Sequence, residues 1–265
     1  MKLFLSLAIV ATLLVSCDND TPVDKDEVEK EVVSTIFEGL QPIAEWNFDN
    51  EDVTDRYGNY DGTLMSPDMA SFEDGIRGKA IRLDGGSSDN KLDASRDGTG
   101  AYIDIPFIDF NQYDVFGMEL WVKGEDMSYL NGQMLLFFGD ITSGWAGIGH
   151  HTMFPNVNND PVYHFSAGSY LNDITGFSYN PGIESEVYAF DNNEWVKLSM
   201  LYIDGHLTAY INDLKVGYIK QDINVQGTKA GIAKHYWDNG RKECVRFTGL
   251  IDDVKIYAGL KPMDT

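Results

Sequence analysis

Basic residues are scarce: 20 lysines and arginines stand against 42 aspartates and glutamates, for a formal charge of -22. The long-range field of such a chain repels phosphate backbones and anionic lipid surfaces, which argues against a nucleic-acid partner. Cysteine is nearly absent, with Cys17 and Cys244 the only two in 265 residues, so no disulfide framework is available. Cys244 opens an alternating apolar run and reads as a buried, inert thiol. No heptad pattern is sustained, and the one long apolar run, Leu3 to Val15, is too short for an ordinary membrane span. What is plentiful points to β structure: 26 glycines, 14 tyrosines and 14 phenylalanines in a chain that is 43% hydrophobic. The length suits one large globular domain or two small ones.

Lys2 followed by the apolar run that stops at Ser16-Cys17 has the layout of a secretory signal. Leu14-Val15-Ser16-Cys17 resembles the lipobox of bacterial lipoproteins, which implies removal of residues 1–16 and lipidation of Cys17. Asp18 and Asp20 behind the anchor resemble the export signal of surface-exposed lipoproteins in Bacteroidota. The resemblance implies an outer-membrane, surface-exposed lipoprotein that meets the membrane only through its lipid. From 17 to 41 the chain is polar and acidic and reads as a solvated tether. Val28, Val32, Val33, Ile36, Phe37 and Leu40 fall roughly on one side of a helix, but offer little apolar surface to offset the entropy of ordering.

Residues 42–265 form the expected domain. Between Val196 and Ile219, two-residue turns at Asp204-Gly205 and Asn212-Asp213 put Tyr202 opposite Leu207, Met200 opposite Ala209 and Leu198 opposite Ile211. Continuing, they pair Ile211 with Leu214, Ala209 with Val216 and Leu207 with Tyr218, all on one apolar face. Further strands are expected at Ala44-Phe48, Lys79-Leu83, Tyr102-Ile105, Phe116-Lys123, Gln133-Phe138, Tyr163-Ala167 and Val245-Tyr257. In the 116–123 run Phe116, Met118, Leu120 and Val122 share one face, while Glu119 and Trp121 take the other. A sheet apolar on both faces is covered twice, so the expected fold is all-β, a jelly-roll sandwich of two antiparallel sheets.

Several segments resemble the LamG-like, concanavalin A-like lectin/glucanase superfamily. They are Ala44-Glu45-Trp46-Asn47-Phe48-Asp49 with Asp55 and Asp61-Gly62-Thr63-Leu64, Gly78-Lys79-Ala80-Ile81-Arg82-Leu83-Asp84-Gly85, and Glu119-Leu120-Trp121-Val122-Lys123. Glu194-Trp195-Val196-Lys197-Leu198 and Phe247-Thr248-Gly249-Leu250-Ile251-Asp252-Asp253-Val254-Lys255-Ile256-Tyr257 complete the series over about residues 44–260. Val196-Lys197 departs from the family, which often has histidine after the tryptophan, and so does Asp213, where glycine is usual. The resemblance implies the sandwich but no single function, since this fold hosts lectins, adhesion modules, hydrolases and lyases.

Apolar phase along 245–257 slips at Asp252-Asp253, which predicts a bulge there. Two carboxylates at that kink could join Asp49 and backbone carbonyls around a structural calcium, as the superfamily resemblance implies; alternatively Asp252 caps the bulge by accepting neighbouring amides. For a sugar, aromatic rings beside amides and carboxylates are the fitting chemistry, because rings stack on C–H faces while polar groups bind hydroxyls. The turn Tyr236-Trp237-Asp238-Asn239 is the strongest platform, with Trp145 and His150 as further contacts. The Glu-x-Asp-x-x-Glu cluster of a retaining glucanase is missing, and Glu184-Ser185-Glu186 reads as a solvated loop. Tyr163-His164-Phe165-Ser166-Ala167-Gly168-Ser169-Tyr170, with His150-His151 upstream, faintly resembles alginate lyases. Ser166 stands where those enzymes have lysine. The sequence therefore favours non-catalytic binding of a polysaccharide or glycoprotein glycan, with a protein-protein adhesion module, or a lyase or glycoside hydrolase of the same fold, as alternatives.

Overall fold

Asp204 and Gly205 both have positive φ, 50° and 74°, the combination that matches a two-residue turn to the twist of its flanking strands. They close Val196–Ile203 onto His206–Ile211 in the expected register, with Tyr202 opposite Leu207, Met200 opposite Ala209 and Leu198 opposite Ile211. At the next turn Asn212 and Asp213 adopt φ 50° and 65°, and Asn212 Oδ1 accepts the Lys197 amide at 2.9 Å. Aspartate thus occupies the left-handed position without glycine.

The computed structural model describes residues 40–85, 100–125, 133–140, 143–151, 162–169, 171–172, 178–179, 183–184, 193–235, 244–245 and 247–259. Among these the strands are, in chain order, β1 (Pro42–Trp46), β2 (Thr63–Met65), β3 (Ala70–Asp74), β4 (Lys79–Leu83), β5 (Tyr102–Asp104), β6 (Val115–Gly124), β7 (Gln133–Asp140), β8 (Gly144–His151), β9 (Val162–Ser169) and β10 (Leu171–Asn172). They continue as β11 (Ser178–Tyr179), β12 (Ile183–Glu184), β13 (Val196–Ile203), β14 (His206–Ile211), β15 (Leu214–Lys220), β16 (Ala230–Ile232), β17 (Lys234–His235), β18 (Cys244–Val245) and β19 (Gly249–Gly259). One antiparallel sheet runs β15-β14-β13-β6-β19-β4-β3, with β1 also on β19; the other runs β12-β9-β8-β7-β16-β5-β2. This is the all-β jelly-roll sandwich. Its first and last strands are neighbours, with Trp46 opposite Val254.

Alternation decides what fills the space between the sheets. Phe116, Met118, Leu120 and Val122 of β6 are fully buried there, as are Leu136 and Phe138 of β7, Ile148 of β8 and Phe165 of β9. Phe110 locks the layers together: its ring lies 4.6 Å from Phe116 in one sheet and 5.0 Å, edge-on, from Phe138 in the other.

Two departures from the expected strands matter. The 245–257 run is not one strand: Cys244–Val245 pair with β17, and the chain leaves that ladder at Phe247, buried in the core, and Thr248, whose hydroxyl accepts the Gly85 amide at 3.1 Å. The bulge expected at Asp252-Asp253 is present, with the register slipping between Asp252 and Lys255 and Asp253 at φ 47°. In β15 a second bulge appears that the alternation did not predict. Ile211 pairs with Leu214 as expected, but Ala209 meets Gly217 and Leu207 meets Ile219, leaving Val216 as the extra residue. Tyr218 is therefore opposite Thr208 on the outer face and 55% exposed.

Candidate functional site

The loop after β1 is organised by one carboxylate. Asp55, 4% exposed, accepts the amides of Glu45 at 2.8 Å, Tyr57 at 3.2 Å, Asn59 at 3.0 Å and Tyr60 at 3.1 Å. Beside it the Trp46 indole donates to the Tyr60 carbonyl at 3.1 Å, so strand and loop are fixed together.

The turn 75–78, between β3 and β4, is held from both sides by the aspartates singled out for a cation. Asp252 Oδ2 accepts the Ile76 amide at 2.9 Å and the Arg77 amide at 3.4 Å, and its Oδ1 accepts the Asp253 amide at 2.7 Å. Asp49 Oδ1 accepts the Lys79 amide at 3.0 Å, while its Oδ2 accepts from the Asn47 side chain at 3.0 Å. Asp253 faces Arg77 at 3.9 Å. A Cβ on Gly78, which has φ 59°, would overlap the Asp49 carboxylate, and one on Gly75 would overlap that of Asp252. Asp252 thus caps the bulge and the 75–78 turn by accepting backbone amides on both oxygens. Burial pushes the Asp252 carboxyl up to about 6, with the charge of Asp253 adding to the rise and the amide bonds opposing it.

Three further carboxylates are tied to the scaffold. On the outer face of the β6 sheet, Glu119 Oε1 accepts the Tyr257 hydroxyl at 2.7 Å and lies 3.8 Å from Lys255 Nζ, and its Oε2 is 3.2 Å from Lys197 Nζ. Lys197 also reaches Asp213 at 3.1 Å. Burial works against the Lys197 ammonium, yet Glu119 and Asp213 together leave its pKa above the usual lysine value. Burial and the Glu119 charge hold the Tyr257 phenol neutral. Glu45 takes Arg56 at 3.3 Å, and Asp140 accepts the Ser143 amide at 3.0 Å and hydroxyl at 3.1 Å.

Of the residues expected to contact sugar, Tyr236, Trp237, Asp238 and Asn239 lie outside the described residues, as does Cys17. Trp145 and His150 are not on an open surface. Trp145 is 3% exposed and stacks 5.6 Å from Phe137, with His164 at 5.3 Å on the same side of the sheet. His150 follows Ala146 and Ile148 in phase, pairs with Tyr163 across to β9, and is fully buried. Alternation sends both His150 and Tyr163 toward the other sheet, so the lyase-like pair faces the core. The backbone of Glu184 lies in β12, paired with His164, while Ser185 and Glu186 lie outside the described residues.

The exposed ring that the pattern missed is Tyr218. Its outward-facing neighbours are Lys215 and Lys220 on β15 and His206 and Thr208 on β14. His206 lies parallel to it, 5.1 Å away with the planes 6° apart, and Lys215 Nζ is 5.1 Å from its centroid. A parity count could have found it: Lys215 and Lys220 are an odd number of residues apart, so both face solvent only if the strand slips.

No protein-family model and no curated protein sequence matches the chain. Among solved structures it is similar to domain 4 of AbnA, a GH43 extracellular arabinanase from Geobacillus stearothermophilus, in complex with arabinotriose. The identity is 20% and the TM-score 0.57, with 84% of this chain and 95% of that one covered. It is also similar to a botulinum neurotoxin type C structure described through interaction with two ganglioside molecules, at 14% identity and TM-score 0.54. A botulinum neurotoxin DC binding domain in complex with rat synaptotagmin II follows at 14% and 0.51. This chain spans about half the length of those toxin chains, 50% and 49%. The likeness establishes the sandwich fold.

Proposed function

We propose that this is a LamG-like, concanavalin A-like domain of a surface-anchored lipoprotein that binds carbohydrate without transforming it. One observation carries the reading: each of the five buried carboxylates among the described residues, Glu45, Asp55, Glu119, Asp140 and Asp252, is bonded into the scaffold. Glu45 and Glu119, which flank Lys255 on one face, are engaged by Arg56 and by Tyr257, Lys197 and Lys255 respectively. A scaffold whose acids are spent on its own loops is suited to present a surface. The arabinotriose carried by the AbnA domain and the gangliosides named for the toxin support a glycan as what that surface meets. Lipidation at Cys17 would hold the domain at the outer membrane, where captured polysaccharide passes to neighbouring enzymes or importers.

Glycan-array binding by the mature chain, residues 17–265, tests the reading. Binding to at least one polysaccharide or glycoprotein glycan is expected, weakened by Trp237→Ala, with no rise in ultraviolet absorbance on incubation with alginate. No binding across plant, algal and host glycans overturns it, and new absorbance shifts the assignment to the lyase.

A further inference from the structure

We infer that the outer face of β14 and β15 is a second glycan surface, specific for acidic sugars, centred on Tyr218. The inference draws its ligand class from the glycan-binding reading, but its site and its charge preference come from the edge of the sheet alone.

The bulge at Val216 turns Lys215, Tyr218 and Lys220 to one side, opposite Tyr210, Thr208 and His206. Tyr218, 55% exposed, is the most open large hydrophobic side chain among the described residues. His206 backs one face of its ring in a parallel stack, and the imidazole is itself steadied by a 2.9 Å hydrogen bond between Nδ1 and the Asp204 carbonyl. That bond makes Nδ1 the donor and leaves Nε2 to accept from a sugar hydroxyl. Lys215, itself exposed, also stands over the ring, with its ammonium 5.1 Å from the centroid. A pyranose stacked there would place a carboxylate or sulfate beside that ammonium.

Charge is the second argument. Most basic side chains among the described residues rest on carboxylates, Arg82 on Glu125 and Lys197 on Glu119 and Asp213 among them. Lys215 and Lys220 have no such partner among the described residues, and β15 itself contains no acid. In a chain of net charge -22, β14 and β15 carry two lysines and no acid, the nearest carboxylates in sequence being Asp204, Asp213 and Asp222 beyond the strand ends. Lysines on an edge strand also discourage edge-to-edge pairing, but that role asks for no stacked aromatic between them.

Affinity electrophoresis of the mature chain in gels containing polygalacturonate, its fully methyl-esterified form, or dextran sulfate tests the inference. Retardation is expected with polygalacturonate, dextran sulfate or both, the two arms separating uronate from sulfate. It should fall with methyl esterification and with salt raised from about 50 to about 500 mM. Tyr218→Ala, and separately the double change Lys215→Ala and Lys220→Ala, should weaken it about tenfold. Both variants alter exposed side chains, and an unchanged melting temperature confirms that they fold. No retardation by either polyanion, or equal retardation of wild type and both variants, overturns the inference. If the array finds only neutral glycans bound through Trp237, the glycan-binding reading stands and the Tyr218 surface does not.

Discussion

Asp252 Oδ2 accepts the Ile76 amide at 2.9 Å across 176 residues of chain, stitching the 75–78 turn to the bulge in the last strand. The same carboxyl is fully buried, and that burial lifts its pKa to about 6. An aspartate in an unfolded chain titrates near about 3.9. The folded protein therefore holds this proton more tightly than the unfolded chain does. Its contribution to stability is complete below about pH 4 and is lost as pH rises through about 6. Thermal melts between pH 4 and 7 should show Asp252→Asn gaining on wild type as pH rises across that window. The difference between the two proteins isolates this group from carboxylates such as Asp109, whose pKa is lowered by side-chain hydrogen bonds from Gln112 and Asn111 and which work in the opposite direction. A constant gap between the two melting curves would refute the assignment.

Calcium should leave the melting temperature where it is. Asp49 and Asp252 already accept amides on the oxygens a cation would take, and Gly75 and Gly78 bring the turn's backbone against them. A cation held only by the folded state raises the midpoint by mass action. Melts in about 5 mM calcium chloride and in excess chelator are expected to coincide, and a rise of several degrees with calcium would contradict the hydrogen-bonded arrangement.

Asp55→Ala should be among the most damaging single changes in the domain. It strips four amides of their acceptor in a loop that fixes Trp46, and each bond to a charged acceptor is worth about 1.5–3 kcal/mol. Chemical denaturation should show a loss of about 3 kcal/mol or more. Asp55→Asn keeps one accepting oxygen and should fall between the two. A loss below about 1 kcal/mol for the alanine variant would mean that the loop re-pairs its amides elsewhere.

The layered fold was legible because alternation and turn chemistry agree. Two turns set the register of Leu198, Met200 and Tyr202 against their partners, and a slip would have put that whole face into water. The bulge at Asp252-Asp253 was legible for the same reason, since the apolar phase changes parity there. Tyr218 was misplaced because Val216 and Gly217 fit the apolar side in either phase, and only the parity of the flanking lysines betrays the slip. Trp145 and His150 were misread for a different reason. Composition marks aromatic and imidazole groups near glycines as site-like, but whether a strand is covered on both faces depends on the other sheet and on distant loops, which local pattern does not encode.

The cluster around Glu119 offers a measurement of coupling. Its carboxylate bridges Lys197 at 3.2 Å and the Tyr257 hydroxyl at 2.7 Å while only 8% exposed. Removing Glu119 alone leaves Lys197 with Asp213, whose side chain is 41% exposed, as its remaining partner. Breaking a buried pair from one side costs about 3–5 kcal/mol in general, and the surviving Asp213 contact should hold Glu119→Ala near the lower end. Lys197→Met removes the cation that Glu119 neutralises, yet restores apolar packing, so the double variant should recover part of the loss. A double-mutant cycle by urea denaturation is expected to give a coupling of about 1–3 kcal/mol. Strict additivity would mean that Tyr257 and Lys255 satisfy Glu119 unaided, and that Lys197 contributes through Asp213 alone.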